Sequence, residues 1–302
     1  MITLTTVDEV RAACDAARAS GRSVGFVPTM GFFHEGHRSL MRAATAANDF
    51  VVASLFVNPT QFAPGEDLAR YPRDPEGDAA VAAAEGVDVL FVPSVAEMYP
   101  AGARTTVHVD GLTTGLCAAS RPTHFDGVTT IVAKLFSIVG PCRAYFGRKD
   151  AQQLAVVTRM TTDLDLPVTV VGCPLVREPD GLAMSSRNAY LDAEHRRAAT
   201  ALARGLESAA DAARAGERNA SALRACIFGA IAAEPLLRLD YAEVVDQATL
   251  EPVDHVSGTT LLAVAAFAGT TRLIDNVMLS ERDGELHADL GVRTSGVLDQ
   301  EN

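Results

Sequence analysis

With 302 residues, 48% of them hydrophobic, the chain is long enough for one large core or two of ordinary size. A net charge of −12 disfavours nucleic acid and anionic membranes as partners, so any anionic ligand must be gathered by local cations. No run approaches the roughly 18 apolar residues of a membrane span, and the opening MITLTTVDEVRAACDAARAS lacks the layout of a signal peptide, so a cytoplasmic protein is expected.

In chain order, SVGFVPTM predicts a strand and GHRSLMRAATAAND a helix; FVVASLFVNP is a second strand, its near-continuous apolar run marking cover on both faces. DPEGDAAVAAAEG reads as a helix stopped by glycine, VDVLFVP as a strand, GVTTIVAKLFSIVG as a helix, RAYFG as a short strand, DAQQLAVVTRMTTDL as a helix and VTVVGCPLV as a strand. This alternation implies an α/β fold, a Rossmann-like parallel sheet with helices on both faces, which binds ligands beyond the carboxyl ends of its strands. After Glu178 the pattern changes. EPDGLAMSSRN is a turn-rich linker and DAEHRRAATALARGLESAADAARAGE one long amphipathic helix. LDYAEVVD, TTLLAVAAFAG and TRLIDNVML are strands of a smaller α+β unit, and the polar tail from about Ser280 is expected to fray. The expected division is a catalytic domain over 1–178, a smaller C-terminal α+β lid over 179–285 and a polar tail over 286–302. Cys14, Cys117, Cys142, Cys173 and Cys226 are scattered without a CxxC, as befits reduced, mostly buried thiols.

The chemistry concentrates in PTMGFFHEGHRSL, which leaves the first of these strands and enters a helix. A helix start offers free N–H groups to an anion, and Gly31 and Gly36 allow close backbone approach. His34 and His37, one turn apart, share a face where their N–H donors suit phosphate oxygens. A plain helix cap with two exposed histidines is the alternative, and the pair lacks a third ligand for a metal. In GLAMSSRNAYL, Ser185, Ser186 and Arg187 form a compact phosphate donor set, or else one serine caps a short turn. In YFGRKDAQQL, Lys149 is expected at a strand's carboxyl end, with Asp150 as ligand or helix cap and Gln153 one turn on.

PTMGFFHEGHRSL, FVNPTQF, YPRDPEGD, RPTHFDGV, FGRKDAQQL and REPDGLAMSSRNAYL occur in the order found in the pantothenate synthetase (pantoate–β-alanine ligase) family. The resemblance runs from about residue 24 to 191 and returns at DYAEVVD and GTTRLIDNV. HEGH is similar to the HxGH signature of the nucleotidylyltransferase superfamily, and MSSRN resembles its second phosphate loop. The resemblance implies a ligase in which the pantoate carboxylate attacks the α-phosphorus of ATP and the β-alanine amine then displaces AMP from pantoyl adenylate. It implies ATP as co-substrate with Mg2+, no metal held by protein ligands alone, and a homodimer, with FVVASLFV a candidate to lie near its interface. For the nucleotide it implies Met30, Gly31, Phe32, Phe33, His34, Glu35, Gly36 and His37, then Gly147, Arg148, Lys149 and Asp150, the backbone of Val176, and Met184, Ser185, Ser186 and Arg187. Of these, His34, His37, Lys149, Ser185, Ser186 and Arg187 are the expected catalytic groups. The resemblance makes His37 a catalytic acid, whereas electrostatic stabilisation is the reading preferred here, because pyrophosphate needs no full proton to leave when magnesium is bound. For pantoate and β-alanine it implies Gln61 and Gln153, with Asn58 beside Gln61. The chain departs from the family's common pattern at Arg148, where Glu is expected, at Thr123, where Gly is common, and at Phe32 and Phe33, where smaller residues are usual. The roles of Arg121, His124 and Tyr71 stay open.

Overall fold

A computed structural model describes residues 1–295. The strands are β1 (Ile2–Leu4), β2 (Val24–Thr29), β3 (Phe50–Leu55), β4 (Val89–Phe91), β5 (Cys142–Gly147), β6 (Val168–Cys173), β7 (Val176–Arg177), β8 (Leu237–Asp246), β9 (Thr259–Ala268), β10 (Thr271–Arg282), β11 (Glu285–Asp289) and β12 (Val292–Arg293). The helices are α1 (Val7–Ala19), α2 (Glu35–Ala47), α3 (Pro75–Ala84), α4 (Val95–Met98), α5 (Cys117–Ser120), α6 (His124–Val139), α7 (Ala151–Asp163), α8 (Ala193–Ala199), α9 (Ala201–Arg214) and α10 (Ala220–Ala232). Packing gathers them into two compact units. The first comprises Met1–Thr113, Arg121–Arg148 and Gln153–Cys173; the second comprises Thr114–Ser120, Lys149–Gln152 and the chain from Pro174 onward. No single linear cut, near 178 or elsewhere, separates these groups, because two short segments inside the first stretch pack with the second unit.

The first unit is built on a six-stranded sheet in the order β1-β4-β3-β2-β5-β6, with every pairing parallel. Alternation along β2 sends Val27 to one face, into a core with Leu40, Met41 and Ala44 of α2 and Ala82 of α3. Its neighbour Phe26 meets Phe136 of α6 edge-on at 6.5 Å on the other face, so helices cover both sides. β3 lies between β4 and β2, and Val51, Val52 and Ala53 are fully buried there. That burial within the chain accounts for the apolar run of FVVASLFV, which was expected near a dimer interface; coverage on both faces of an interior strand requires it.

The second unit is an antiparallel sheet, β11-β10-β9-β8, with α9 and α10 packed on it. Leu202, Leu206, Leu223 and Ile227 of these helices form one core with Val264, Ala266, Val277 and Leu279 of β9 and β10. The long helix expected over 192–217 is two, α8 and α9, parted at Thr200. The Thr200 hydroxyl donates to the Arg197 carbonyl (2.7 Å), a local bond that competes with the helix ladder. VTVVGCPLV also splits, into β6 and β7. The expected tail is largely ordered: β10 runs to Arg282, β11 pairs with it antiparallel, and β12 pairs in parallel with β7. The remainder of that tail, 296–302, lies outside the described residues.

Candidate active site

The strand order reverses at β2, which has β3 on one side and β5 on the other. Ligand crevices in such sheets open beyond the carboxyl ends of the strands flanking this point. There β2 runs into the turn Met30–His34 and β5 ends at Gly147, with Arg148 next.

The turn is held by one carboxylate. Asp78, on α3 and only 3% exposed, accepts the backbone N–H groups of Phe32 (2.8 Å) and Phe33 (2.6 Å). Gly31 has φ +87° and Phe32 φ +55°. A Cβ on Gly31 would sit 2.8 Å from the Asp78 carboxylate, so only glycine fits both the conformation and the approach. Burial pushes the Asp78 carboxyl up, against the lowering effect of the two N–H donors. Phe33 packs onto the sheet's core and beside the His37 ring, at 5.4 Å between centroids.

The two histidines then close a reciprocal cap on α2. The His34 Nδ1 accepts the N–H of Gly36 (3.1 Å), and the His37 Nδ1 accepts the N–H of His34 (3.3 Å). This is the geometry of a capping box with imidazoles in place of hydroxyl and carboxylate. An accepting Nδ1 fixes the neutral tautomer, with the proton on Nε2 at the ring's other edge. The rings lie 4.1 Å apart between centroids. Capping therefore engages the Nδ1 edge of each ring, so the cap and a contact through Nε2 are not mutually exclusive. Glu35 contributes no free carboxylate, since it pairs with Arg42 and Arg38 along α2.

Gln61 stands in the turn after β3. Its Nε2 donates to the Met30 Sδ (3.1 Å), and its Oε1 accepts from the Asn58 Nδ2 (3.1 Å). Asn58, expected beside the substrates, is 1% exposed with its carboxamide consumed: it also donates to the Gly127 carbonyl and accepts from Thr60 and the Tyr99 hydroxyl. Asn58 therefore meets Gln61 side chain to side chain, with both residues buried. The residues left open fall into place around it. His124 Nδ1 and Arg121 Nη2 both meet the Gln61 carbonyl, at 2.9 and 3.2 Å, so His124 donates through Nδ1. Arg121 grips Glu66 through Nε (2.8 Å) and Nη2. Burial pushes the Glu66 carboxyl up, but the Arg121 bonds outweigh it and hold it below the usual range. Tyr71 is buried edge-on to Phe62. Gly127 on α6 is obligatory: a Cβ there would come within 2.5 Å of the Thr60 carbonyl. Gln153, half-buried on α7, has a carboxamide with no hydrogen bond to other described residues. Arg148 lies along Gly172 of β6, its Nε 3.5 Å from where a Cβ would stand.

In the second unit, the Lys149 Nζ lies 3.9 Å from Asp150, which is half-exposed. The Val176 carbonyl accepts from the Met184 N–H (3.0 Å), tying the candidate adenine contact to the start of the serine loop. Ser185 caps the 3-10 turn Ser186–Tyr190 by accepting the Arg187 N–H (3.3 Å), and Ser186 is buried. Glu178 braces this loop by accepting from Asn188 (2.6 Å) and Arg196. The expected residues therefore assemble as two sets: Met30–His37, Asn58, Gln61, Gly147, Arg148 and Gln153 in the first unit, and Lys149, Asp150, Val176 and Met184–Arg187 in the second. Sequence reasoning passed over Asp78, Gly127, Arg177, Asp275 and Asn276. Charged residues inside the apolar patterns of α3, β7 and β10 were the available signal for Asp78, Arg177 and Asp275; the uncharged Gly127 and Asn276 carried none.

A parallel doubly wound sheet with a histidine-capped helix start at its switch point defines an α/β protein of the nucleotide-binding type. A sequence profile described as pantoate-beta-alanine ligase matches residues 2–278. The pantothenate synthetase of Pelotomaculum thermopropionicum is 56% identical over 281 residues, covering 93% of this chain and 100% of the relative. A crystal structure of pantothenate synthetase from Thermus thermophilus superposes with a TM-score of 0.87 at 49% identity, covering 91% of this chain and 98% of that one. One of pantoate-beta-alanine ligase from Francisella tularensis, complexed with beta-gamma ATP and beta-alanine, gives 0.75 at 31% identity, covering 91% and 97%. The chain belongs to the pantoate–β-alanine ligase family.

Proposed function

We propose that this protein is an ATP-dependent ligase that joins (R)-pantoate to β-alanine, giving pantothenate, AMP and pyrophosphate. Family membership supports the reaction, and the reciprocal histidine cap is the observation that ties it to this chain's geometry. In the first step a pantoate carboxylate oxygen forms a bond to the α-phosphorus as the bond to the β-phosphate oxygen breaks. Negative charge grows on the phosphoryl oxygens, where the Nε2–H edges of His34 and His37 serve as preorganised donors. Neutral rings suit this work because the cap survives only while Nδ1 is unprotonated. Lys149, Ser185, Ser186 and Arg187 bind phosphate oxygens, Arg187 as a planar fork and Lys149 as a point charge. The Val176 backbone reads adenine. Gln61 and Gln153 hold pantoate, and neutral amides leave its carboxylate nucleophilic. In the second step the β-alanine nitrogen lone pair attacks the acyl carbon, the carbon–oxygen bond to AMP breaks, and the nitrogen loses a proton.

Magnesium belongs to the same proposal. Among the described residues no group of three or more His, Cys, Asp or Glu is placed to hold a metal; the magnesium proposed here would arrive on the nucleotide's phosphates. Action in the cytoplasm as a homodimer is likewise proposed; no helix among the described residues is long and apolar enough to cross a membrane. The test is to follow pyrophosphate and AMP separately. Pantoate-dependent ATP–pyrophosphate exchange, with AMP released only when β-alanine is added, is the expected result. Exchange absent with pantoate overturns the reading.

A further inference from the structure

Asp275 and Asn276 are consecutive on β10, 3% and 8% exposed, and no step above uses them. Asp275 takes a two-pronged grip from Arg177, through Nη1 (2.6 Å) and Nη2 (2.9 Å). Arg177 is itself 1% exposed and directly follows Val176. Its guanidinium also donates to the carbonyls of Gly181 (3.0 Å), Asn276 (3.3 Å) and Leu290 (2.6 Å). Every arm of the fork is engaged, so β7 has one position relative to β10. The neighbouring Asn276 reaches elsewhere: its Nδ2 donates to the backbone carbonyl of Lys149 (2.8 Å). One dipeptide thus fastens the main chain at Lys149 and, through Arg177, at Val176. All of these groups lie within the second unit.

A buried ion pair is a weak source of net stability compared with apolar packing, whereas a fully satisfied polar network fixes a single arrangement. We propose that Asp275 and Asn276 are positioning residues for the nucleotide, holding the backbone from which Lys149 and Val176 meet ATP. The inference rests on the reading of Lys149 and Val176 as nucleotide contacts. Neither residue touches ATP; each acts through the main chain of one that does.

The test uses the full chain carrying Asn276→Ala, Asn276→Asp or Asp275→Asn, with ATP and pantoate varied separately and Tm measured in parallel. Asn276→Ala should raise the KM for ATP about fivefold to tenfold, the effect of one lost hydrogen bond. The KM for pantoate should stay within about twofold, as expected when only nucleotide binding is disturbed. Asn276→Asp should do at least as much harm, since its carboxylate would face the Lys149 carbonyl. Equal changes in both KM values, or a fall in Tm with ATP kinetics unchanged, overturn the proposal. Should Asp275→Asn fail to fold, the Asn276 variants decide. Lys149→Ala separates the two levels: if it leaves the KM for ATP unchanged, the contact reading fails and the inference falls with it. If it raises that KM while Asn276→Ala does not, the inference alone fails.

Discussion

Each unit fastens a candidate nucleotide-contacting segment with a buried aspartate, and the two are satisfied differently. Among the described residues Asp78 pairs with no cation; two consecutive backbone N–H groups are its partners, and they belong to the positive-φ turn that launches the histidines. Asp275 is matched by a full guanidinium that goes on to three carbonyls. A carboxylate facing only peptide N–H groups can shape a turn, because each donor it satisfies is one the bent chain has lost. A carboxylate facing an arginine can join separate strands, because the guanidinium spans five donors in a plane. The first ties a single turn to a helix 45 and 46 residues along the chain; the second joins two strands across 98 residues and should fail abruptly when either member is removed.

The largest expected effect follows from that last contrast. Asp275→Ala leaves Arg177 buried without its counter-charge and should cost about 3–5 kcal/mol in urea unfolding. Replacing both members, with Arg177→Met and Asp275→Leu together, should recover most of that loss, since apolar pairs of similar volume pack without a desolvation penalty. A double variant as unstable as the single one would show that the guanidinium's carbonyl bonds, not the charge pair, carry the stability.

Asp78→Asn comes next. An amide keeps one acceptor but turns an NH2 toward the second N–H, so about 1–3 kcal/mol should be lost. The turn it releases feeds His34, so the KM for ATP should rise as well. This site also carries a pH signature. Burial, the largest influence, raises the Asp78 carboxyl above its ordinary 3.8. From that value upward the folded chain still holds a proton that the unfolded chain has released. The group's contribution to stability is therefore fullest below 3.8 and is lost as pH rises through the raised value. Asn does not titrate, so the gap in Tm between wild type and Asp78→Asn should narrow across this window. A gap that widens with pH would mean that the ionised carboxylate is the form the turn favours.

How legible this was in the sequence depended on the kind of signal. Alternating strands and helices set out the first unit because a sheet buried on both faces writes continuous apolar runs such as VVA at 51–53. The β11 pairing was missed because ELHAD buries only Leu286, too little to separate an edge strand from a polar tail. The break at Thr200 was missed because alanine-rich flanks carry the helical period straight through it. For the histidines the sequence offers a phosphate site or a plain cap; the reciprocal cap made by the imidazoles themselves is not legible there, since capping rules are framed in Ser, Thr, Asp and Glu. Asn58 is placed with the substrates by motif adjacency, which says nothing of depth: its carboxamide is buried and bonded to Gln61, Gly127, Thr60 and Tyr99. The buried aspartates lay in plain view, and only the fold shows which N–H groups or guanidinium they meet.

The smallest expected change in stability belongs to His34→Asn, which sharpens the comparison from the histidine side. Asn is among the best N-cap residues, so its side-chain oxygen can take over the bond from the start of α2. The fold should hold within about 0.5 kcal/mol, because one good cap replaces another. What disappears is the Nε2–H edge, and removing one preorganised donor to a developing oxyanion costs about 10²–10³ in kcat. Pantoate-dependent ATP–pyrophosphate exchange should fall by that factor while the unfolding curve barely moves. Asp78→Asn should differ, weakening the fold at the turn and raising the KM for ATP with both imidazoles still in place. If His34→Asn instead lost stability and activity together, the imidazole would be serving chiefly as a cap, and the phosphate-binding role would pass to His37 alone.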